Sequence, residues 1–157
     1  MSNQEMDLVR DAKIKVARFC AYQERAPSEV RAKLSSYGLG IEQLEQVMVE
    51  LVEDGFINEH RFALAYARGR LRLKKWGKLK IKKGLENYEV DPQCISEILS
   101  SISNEDYYQT MSSLIDKKRA TLRISDVFIR NHKIANFVIS KGFEPELVWD
   151  YLKNEKG

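Results

Sequence analysis

The segment VRAKLSSYGLGIEQLEQVM, at residues 30–48, aligns without gaps with two later segments of the same chain. The second copy is IKKGLENYEVDPQCISEIL at 81–99, and the third is IANFVISKGFEPELVWDYL at 134–152. Self-similarity at a regular period is typical of proteins that are built from stacked units of supersecondary structure. The sequence therefore predicts three copies of one unit, and a single compact bundle with coincidental similarity is the alternative.

Each copy has the pattern of two short helices joined by a tight turn. Apolar residues recur at i, i+4 and i+7 before the turn, and a second stripe of helical period follows it. Gly38 and Gly142 occupy the turn, where a residue without a Cβ ends a helix in the left-handed conformation. The second copy has Glu89 at this place, so we expect its turn to differ or to be mildly strained. Asp91 before Pro92 predicts the cap and first residue of the next helix.

A further helix is expected upstream of each copy. The three segments with helical periodicity run roughly from Leu8 to Gln23, from Glu59 to Lys75 after a cap at Asn58, and from Glu105 to Arg119 after a cap at Ser103 or Asn104. Since no alternating β-branched run is present, no strand is predicted. One unit buries too little apolar area to be stable, so neighbouring units must stack. The predicted fold is all-α, with three tandem three-helix repeats at residues 8–57, 58–102 and 103–155.

Basic residues are concentrated in the second of these units. Residues 60–85 contain ten Lys or Arg and no Asp or Glu, whereas the rest of the chain has 16 basic and 23 acidic residues. An acidic body with one basic segment indicates an anionic partner or a polyanion. The alternative is a solvated helix face, although ordinary surfaces mix charges of both signs.

A helical wheel places four of these cations, Arg61, Arg68, Arg72 and Lys75, in one narrow sector. The adjoining apolar stripe, expected to face the core, comprises Phe62, Ala65, Tyr66, Gly69 and Leu73. On the next helix, Ile81, Leu85 and Tyr88 are expected to point inward and the lysines outward. The candidate residues for binding DNA or a nucleoprotein filament are Arg61, Arg68, Arg70, Arg72, Lys74, Lys75, Lys78, Lys80, Lys82 and Lys83.

Trp76 and Gly77 join the two basic helices and are expected to form a structural hinge. A tryptophan at a helix junction more often packs beneath the turn than stacks on nucleobases, so packing is the expectation for Trp76. Gly77 is expected to supply the backbone freedom for a tight bend.

Catalytic and metal-binding motifs are not found in the sequence. His60 and His132 stand alone, and no nucleophile elbow, P-loop or metalloprotease motif is present. Cys20 and Cys94 lack metal-ligand spacing and are expected to be core thiols in a reducing compartment. No segment approaches the roughly 20 apolar residues that span a bilayer, and the start does not resemble a secretory signal. We expect a cytoplasmic, monomeric, non-enzymatic protein without metal or cofactor.

Residues 57–85, INEHRFALAYARGRLRLKKWGKLKIKKGL, resemble the central block of the RecX family, regulators of the bacterial recombinase RecA. The segments at 24–39 and 133–152 support this resemblance. The chain departs from the family at Lys78, where proline often follows the Trp-Gly pair, which leaves the start of the second helix less rigid. The segment at 106–130 matches the family only loosely.

The resemblance implies an elongated, curved array of three-helix repeats, of right-handed type. It further implies that the protein binds in the helical groove of the RecA–single-stranded DNA filament and modulates filament growth, ATPase, strand exchange and co-protease activity in DNA repair and the SOS response. We expect the regulation to be inhibitory, although the resemblance leaves its sign open. The basic sector would then meet the DNA backbone, an acidic surface of RecA, or both. Two alternatives are a free-standing, helix-turn-helix-like DNA-binding protein, such as a transcription or nucleoid factor, and an adaptor that binds an acidic protein.

Overall fold

The computed structural model describes residues 2–154, and within that range every regular element is helical. The α-helices are α1 (Asn3–Tyr22), α2 (Pro27–Ser36), α3 (Ile41–Glu53), α4 (Glu59–Gly69), α5 (Lys78–Asn87), α6 (Pro92–Ser101), α7 (Asn104–Thr121), α8 (Val127–Ser140) and α9 (Pro145–Asn154). A π-helical turn, Arg70–Lys74, continues α4. The all-α prediction with three helices per unit is confirmed. The exact boundaries of the three units stay a prediction, and the last residue of the third, Glu155, lies outside the described residues.

Local sequence signals begin α4, α6 and α7 where expected, whereas α1 begins at Asn3, before the predicted Leu8, because the Ser2 side chain caps it. The Asn58 side chain accepts a hydrogen bond of 2.8 Å from the Arg61 amide at the start of α4. Asp91 caps α6, and Ser103, rather than Asn104, caps α7. Each cap satisfies an amide that has no partner inside its own helix.

The turns inside the repeated segment are left-handed in all three units. Gly38 and Gly142 have φ angles of 83° and 100°, and Glu89 has a φ angle of 61°. A residue with a Cβ pays roughly 1–2 kcal/mol for this conformation. The mild strain expected in the second turn therefore lies at Glu89.

Two hydrophobic clusters form the interior. The first cluster joins α1, α2 and α3 around buried residues such as Val16, Leu34 and Leu51. The second cluster runs through α4 to α9 without a break, and includes Ile98 and Phe143. The second and third units therefore share one core, whereas the first unit has a core of its own.

The first unit is attached to the second through a small set of specific contacts. Ala26 is buried in the second cluster although it precedes α2. The Ser28 hydroxyl donates to the Tyr88 carbonyl oxygen over 2.6 Å, and Arg61 forms an ion pair with Glu24. These contacts fix the α1–α2 corner against α4 and α5.

The second and third units meet backbone to backbone at Gly77. Its amide donates to the Lys141 carbonyl oxygen over 2.8 Å, and the Leu79 amide donates to the Gly142 carbonyl oxygen over 3.0 Å. A Cβ on Gly77 would lie 2.4 Å from backbone atoms of Gly142 and Phe143. The φ angle of Gly77 is −81°, which any residue adopts. The expected reason for this glycine, freedom for a tight bend, is thus wrong, because close approach requires it instead.

The core face of α4 differs from the wheel prediction. The buried residues are Phe62, Ala63, Ala67 and Leu71, whereas the predicted stripe members Ala65 and Leu73 are exposed. The small apolar residues of α4 are spread around most of its circumference. Two faces of the helix therefore have similar hydropathy. The π-helical turn after Gly69 then changes the register of every later residue.

Candidate functional site

The ten basic candidate residues lie in distinct surroundings, and three of them line one groove. Arg68, Arg72 and Lys75 face the C-terminal end of α6 and the first half of α7 across a groove of about 730 Å³. We call this the α4–α7 groove. The structure therefore brings together three of the four cations that the wheel places in one sector.

Arg61, the fourth member of that sector, has a different environment. Its guanidinium pairs with Glu24 and donates to the Gly55 carbonyl oxygen over 2.9 Å. These contacts tie the start of α4 to the first unit. The geometry thus gives Arg61 a structural role at the junction of the first and second units.

Trp76 is half-buried against the second cluster, as expected, and basic side chains cover its ring. The Arg70 guanidinium lies 5.4 Å and the Lys80 ammonium 4.7 Å from the ring centroid. Arg70 also lies 4.5 Å from the centroid of Tyr66. Such contacts between cations and aromatic faces orient flexible side chains, so Arg70 and Lys80 are held at the junction of the two basic helices.

Lys78 and Lys82 line a second groove, of about 450 Å³, between α5 and α6. Glu86 shares this groove with them, so its charge is mixed. Lys74 and Lys83 are exposed and line neither groove. The candidates therefore do not form one continuous face around a single site.

Most of the positive charge is unopposed. Within residues 2–154, Arg61 is the only one of the ten candidates with a carboxylate oxygen within ion-pair distance. Like charges held close together destabilise the folded chain by repulsion. An anionic ligand would relieve this repulsion, and this favours anion binding over a merely solvated surface.

Tyr107 anchors the basic segment to the third unit. Its hydroxyl accepts a hydrogen bond of 2.9 Å from the Lys78 amide and donates to the Glu144 carboxylate. Burial, together with the hydrogen bond to Glu144, raises the pKa of Tyr107 well above its usual 10. The neutral hydroxyl therefore holds the first turn of α5 in place. The sequence indicates only a packing tyrosine here, because both partners are remote along the chain.

The polar wall of the α4–α7 groove could not be found from the sequence. It is formed by Ser101, Ser103, Asp106, Gln109, Thr110 and Ser113. These residues have the composition of an ordinary solvent-facing helix surface. Only the packing of α7 against the π-helical turn places them opposite the cations.

Other site types find little support in residues 2–154. No group of three or more His, Cys, Asp or Glu side chains is arranged to hold a metal ion within that range. Cys20 and Cys94 are buried free thiols, and burial raises the pKa of both. Among the helices of the same residues, none combines the length and apolar character needed to cross a bilayer.

Comparison with known proteins gives matches in sequence and in fold. Residues 58–99 match the family model described as RecX, second three-helix domain. Regulatory protein RecX of Bacillus cereus strain B4264 is 24% identical over 151 residues, which cover 94% of this chain and 56% of the relative. The Bacillus cytotoxicus protein of the same name is 25% identical over the same coverage. The chain therefore spans about half the length of the curated relatives that it matches.

Solved structures show the same arrangement of helices. The crystal structure of RecX from Lactobacillus salivarius superposes with a TM-score of 0.87 at 20% identity, covering 94% of this chain and 96% of that one. A second crystal structure, of a regulatory protein RecX, has a TM-score of 0.84 at 22% identity and covers 97% of this chain and 74% of that one. Family model, relatives and fold agree with the resemblance in residues 57–85, and the chain is similar to the RecX regulatory proteins in sequence and in fold.

Proposed function

We propose that this protein is a non-enzymatic regulator of the RecA recombinase that binds the RecA–single-stranded DNA filament and inhibits its ATPase, strand-exchange and co-protease activities. It acts as a monomer in the cytoplasm and needs no metal or cofactor. The observation that carries this proposal is the unopposed positive charge of residues 60–85, which lies in the unit that matches the RecX domain. The relatives' name, regulatory protein, supports a regulatory role rather than a catalytic one.

The physical basis of the proposal is a match between an extended protein and an extended ligand. Stacked helical units offer a long surface that contacts several repeats of a polymer at once. Cations without internal partners bind such a polymer by displacing its counterions, so affinity falls with salt. The cations of the second unit that have no internal ion pair contact the DNA. The first and third units, whose acidic and basic residues nearly balance, are left to contact RecA.

RecA ATPase on single-stranded DNA, with and without the purified protein at two salt concentrations, tests this proposal. We expect inhibition at low salt that weakens at high salt. The affinity for DNA itself should fall with a slope of about −0.7, in log affinity against log salt concentration, for each phosphate contacted on a single strand. An unchanged RecA ATPase at both salt concentrations would contradict the proposal. Protection of one duplex site in footprinting, with RecA unaffected, would instead favour the free-standing DNA-binding protein.

A further inference from the structure

Both walls of the α4–α7 groove present hydrogen-bond donors. Arg68, Arg72 and Lys75 line the wall that belongs to the second unit. On the opposite wall, Gln109 and Ser113 have side chains with no hydrogen-bond partner among residues 2–154. Amide and hydroxyl groups donate hydrogen bonds to anions without adding charge. The groove thus presents charged and neutral donors to a ligand lying between the second and third units.

Lys75 has a strained backbone at the edge of this groove. Its φ and ψ angles are 58° and 45°, and its amide donates to the Arg70 carbonyl oxygen to close the π-helical turn. Elsewhere within residues 2–154, Gly38, Gly55 and Gly142 occupy left-handed positions, and Glu89 is the other exception. Glycine fits such a position without strain, so a lysine there loses stability. Backbone outliers and π-helical turns concentrate at functional sites, which points to the Lys75 side chain.

The row of cations favours a polyanion as the ligand. Arg68, Arg72 and Lys75 follow one another along α4 and the π-helical turn that continues it, and all three line the groove. A nucleic-acid strand carries a negative charge on every unit, so it can meet several of these cations at once. An acidic protein segment carries a charge only where its sequence has Asp or Glu.

The groove lining also indicates which part of a strand is bound. Aromatic side chains are absent from the residues that line it, although base-stacking sites depend on them. Leu64, Ala67, Leu71 and Ile102 supply the apolar part of the lining instead. Contacts are therefore made to the sugar–phosphate backbone and carry little sequence preference.

We infer that the α4–α7 groove binds the phosphodiester backbone of a single nucleic-acid strand, and that Lys75 keeps its strained conformation in order to contact a phosphate. This inference rests on the proposed function, of which it names the DNA-contacting site. Because the second and third units share one core, both walls are fixed relative to each other before the strand binds. Binding then requires little rearrangement of the backbone.

Asp106 opposes this binding, so its removal provides a second test. Its carboxylate lies on the same groove, and no cation pairs with it among residues 2–154. A negative charge there repels a phosphate, so the Asp106→Asn variant should bind the strand more tightly. Asp150, exposed on α9 and outside the groove, provides the matched control.

The test measures binding of a fluorescein-labelled oligo-dT by anisotropy, over a salt series, together with thermal unfolding. Lys75→Gly relieves the strain, so we expect an equal or higher melting temperature with affinity reduced on the order of five-fold, as for one exposed ion pair. The slope of log affinity against log salt concentration should become shallower by about 0.7. Lys133→Ala, which removes an exposed cation of the third unit outside the groove, should change affinity less. Asp106→Asn should raise affinity and Asp150→Asn should not.

Other outcomes overturn the inference. If Lys75→Gly and Asp106→Asn bind oligo-dT as the wild type does, the groove is not the site. If a poly-glutamate peptide binds as tightly as oligo-dT and shows the same losses, the occupant is an acidic protein segment. RecA ATPase measured on the same variants separates the two proposals, since inhibition that persists without groove binding leaves the regulatory function standing. A wild type that binds oligo-dT through the groove without inhibiting RecA contradicts only the regulatory function.

Discussion

At Gly77 the backbone of the second unit touches that of the third, and this contact depends on a single missing side chain. The Gly77 amide bonds to Lys141, and a Cβ would lie 2.4 Å from the Gly142 backbone. Backbone atoms cannot move aside as the end of a flexible side chain can. The Trp-Gly pair that marks the central block in the sequence is therefore a packing determinant, with Trp76 beneath the junction and Gly77 within it.

The Gly77→Ala variant should accordingly lower the free energy of unfolding by about 2–3 kcal/mol, in the range of core overpacking. Urea unfolding followed by circular dichroism measures this. Gly69→Ala is the matched control, because a Cβ on Gly69 meets no atom within 4 Å. That control should stabilise the helix by roughly 0.5–1 kcal/mol. Equal effects of the two substitutions would show that the backbone contact at Gly77 is not tight.

At the scale of elements, helix starts and turns could be predicted from the sequence, whereas helix faces could not. Caps such as Asn58 and Asp91 act through neighbouring residues, and the repeat identified the turns that Gly38 and Gly142 form. The face of α4 depends on tertiary packing, since its small apolar residues allow two orientations. No local pattern predicts the π-helical turn. The polar wall of α7 faces the cations because α7 packs against that turn, and this contact joins segments that are remote along the chain.

The start of α5 offers a test of these inter-unit contacts. Tyr107→Phe removes the hydroxyl that joins the Lys78 amide to Glu144, so unfolding free energy should fall by about 1–3 kcal/mol. Tyr108→Phe is the control, because that tyrosine is 52% exposed. Chemical denaturation of both variants gives the comparison. A loss of similar size in Tyr108→Phe would contradict the anchoring role.

The raised pKa of the Tyr107 hydroxyl predicts that the stability of the protein depends on pH. Burial and the hydrogen bond to Glu144 raise the pKa of Tyr107 above its ordinary 10 in the folded protein. Its contribution to stability is therefore fully present below pH 10 and is lost as pH rises above that value. Tyr107→Phe should lack this part of the alkaline decline, and an identical decline in the variant and the wild type would argue against it.

At the scale of the whole molecule, the hydrophobic clusters divide the chain unequally. Among the described residues, the second cluster contains 21 buried side chains and the first contains ten. The α4–α7 groove lies inside the larger body, whose two units share a core. The first unit is joined to it through Arg61, Ser28 and Ala26. The molecule thus combines a basic groove within a shared core with a first unit that has a core of its own.

The central claim, that the cations of the α4–α7 groove mediate inhibition of RecA, is tested most directly by reversing their charge. RecA ATPase on single-stranded DNA is measured with the triple variant Arg68→Glu, Arg72→Glu, Lys75→Glu. The control carries the same change in net charge at exposed sites outside the groove, as Arg18→Glu, Arg123→Glu, Lys133→Glu. We expect the groove variant to keep its helical circular dichroism and lose inhibition, while the control still inhibits. Full inhibition by a folded groove variant would contradict the account.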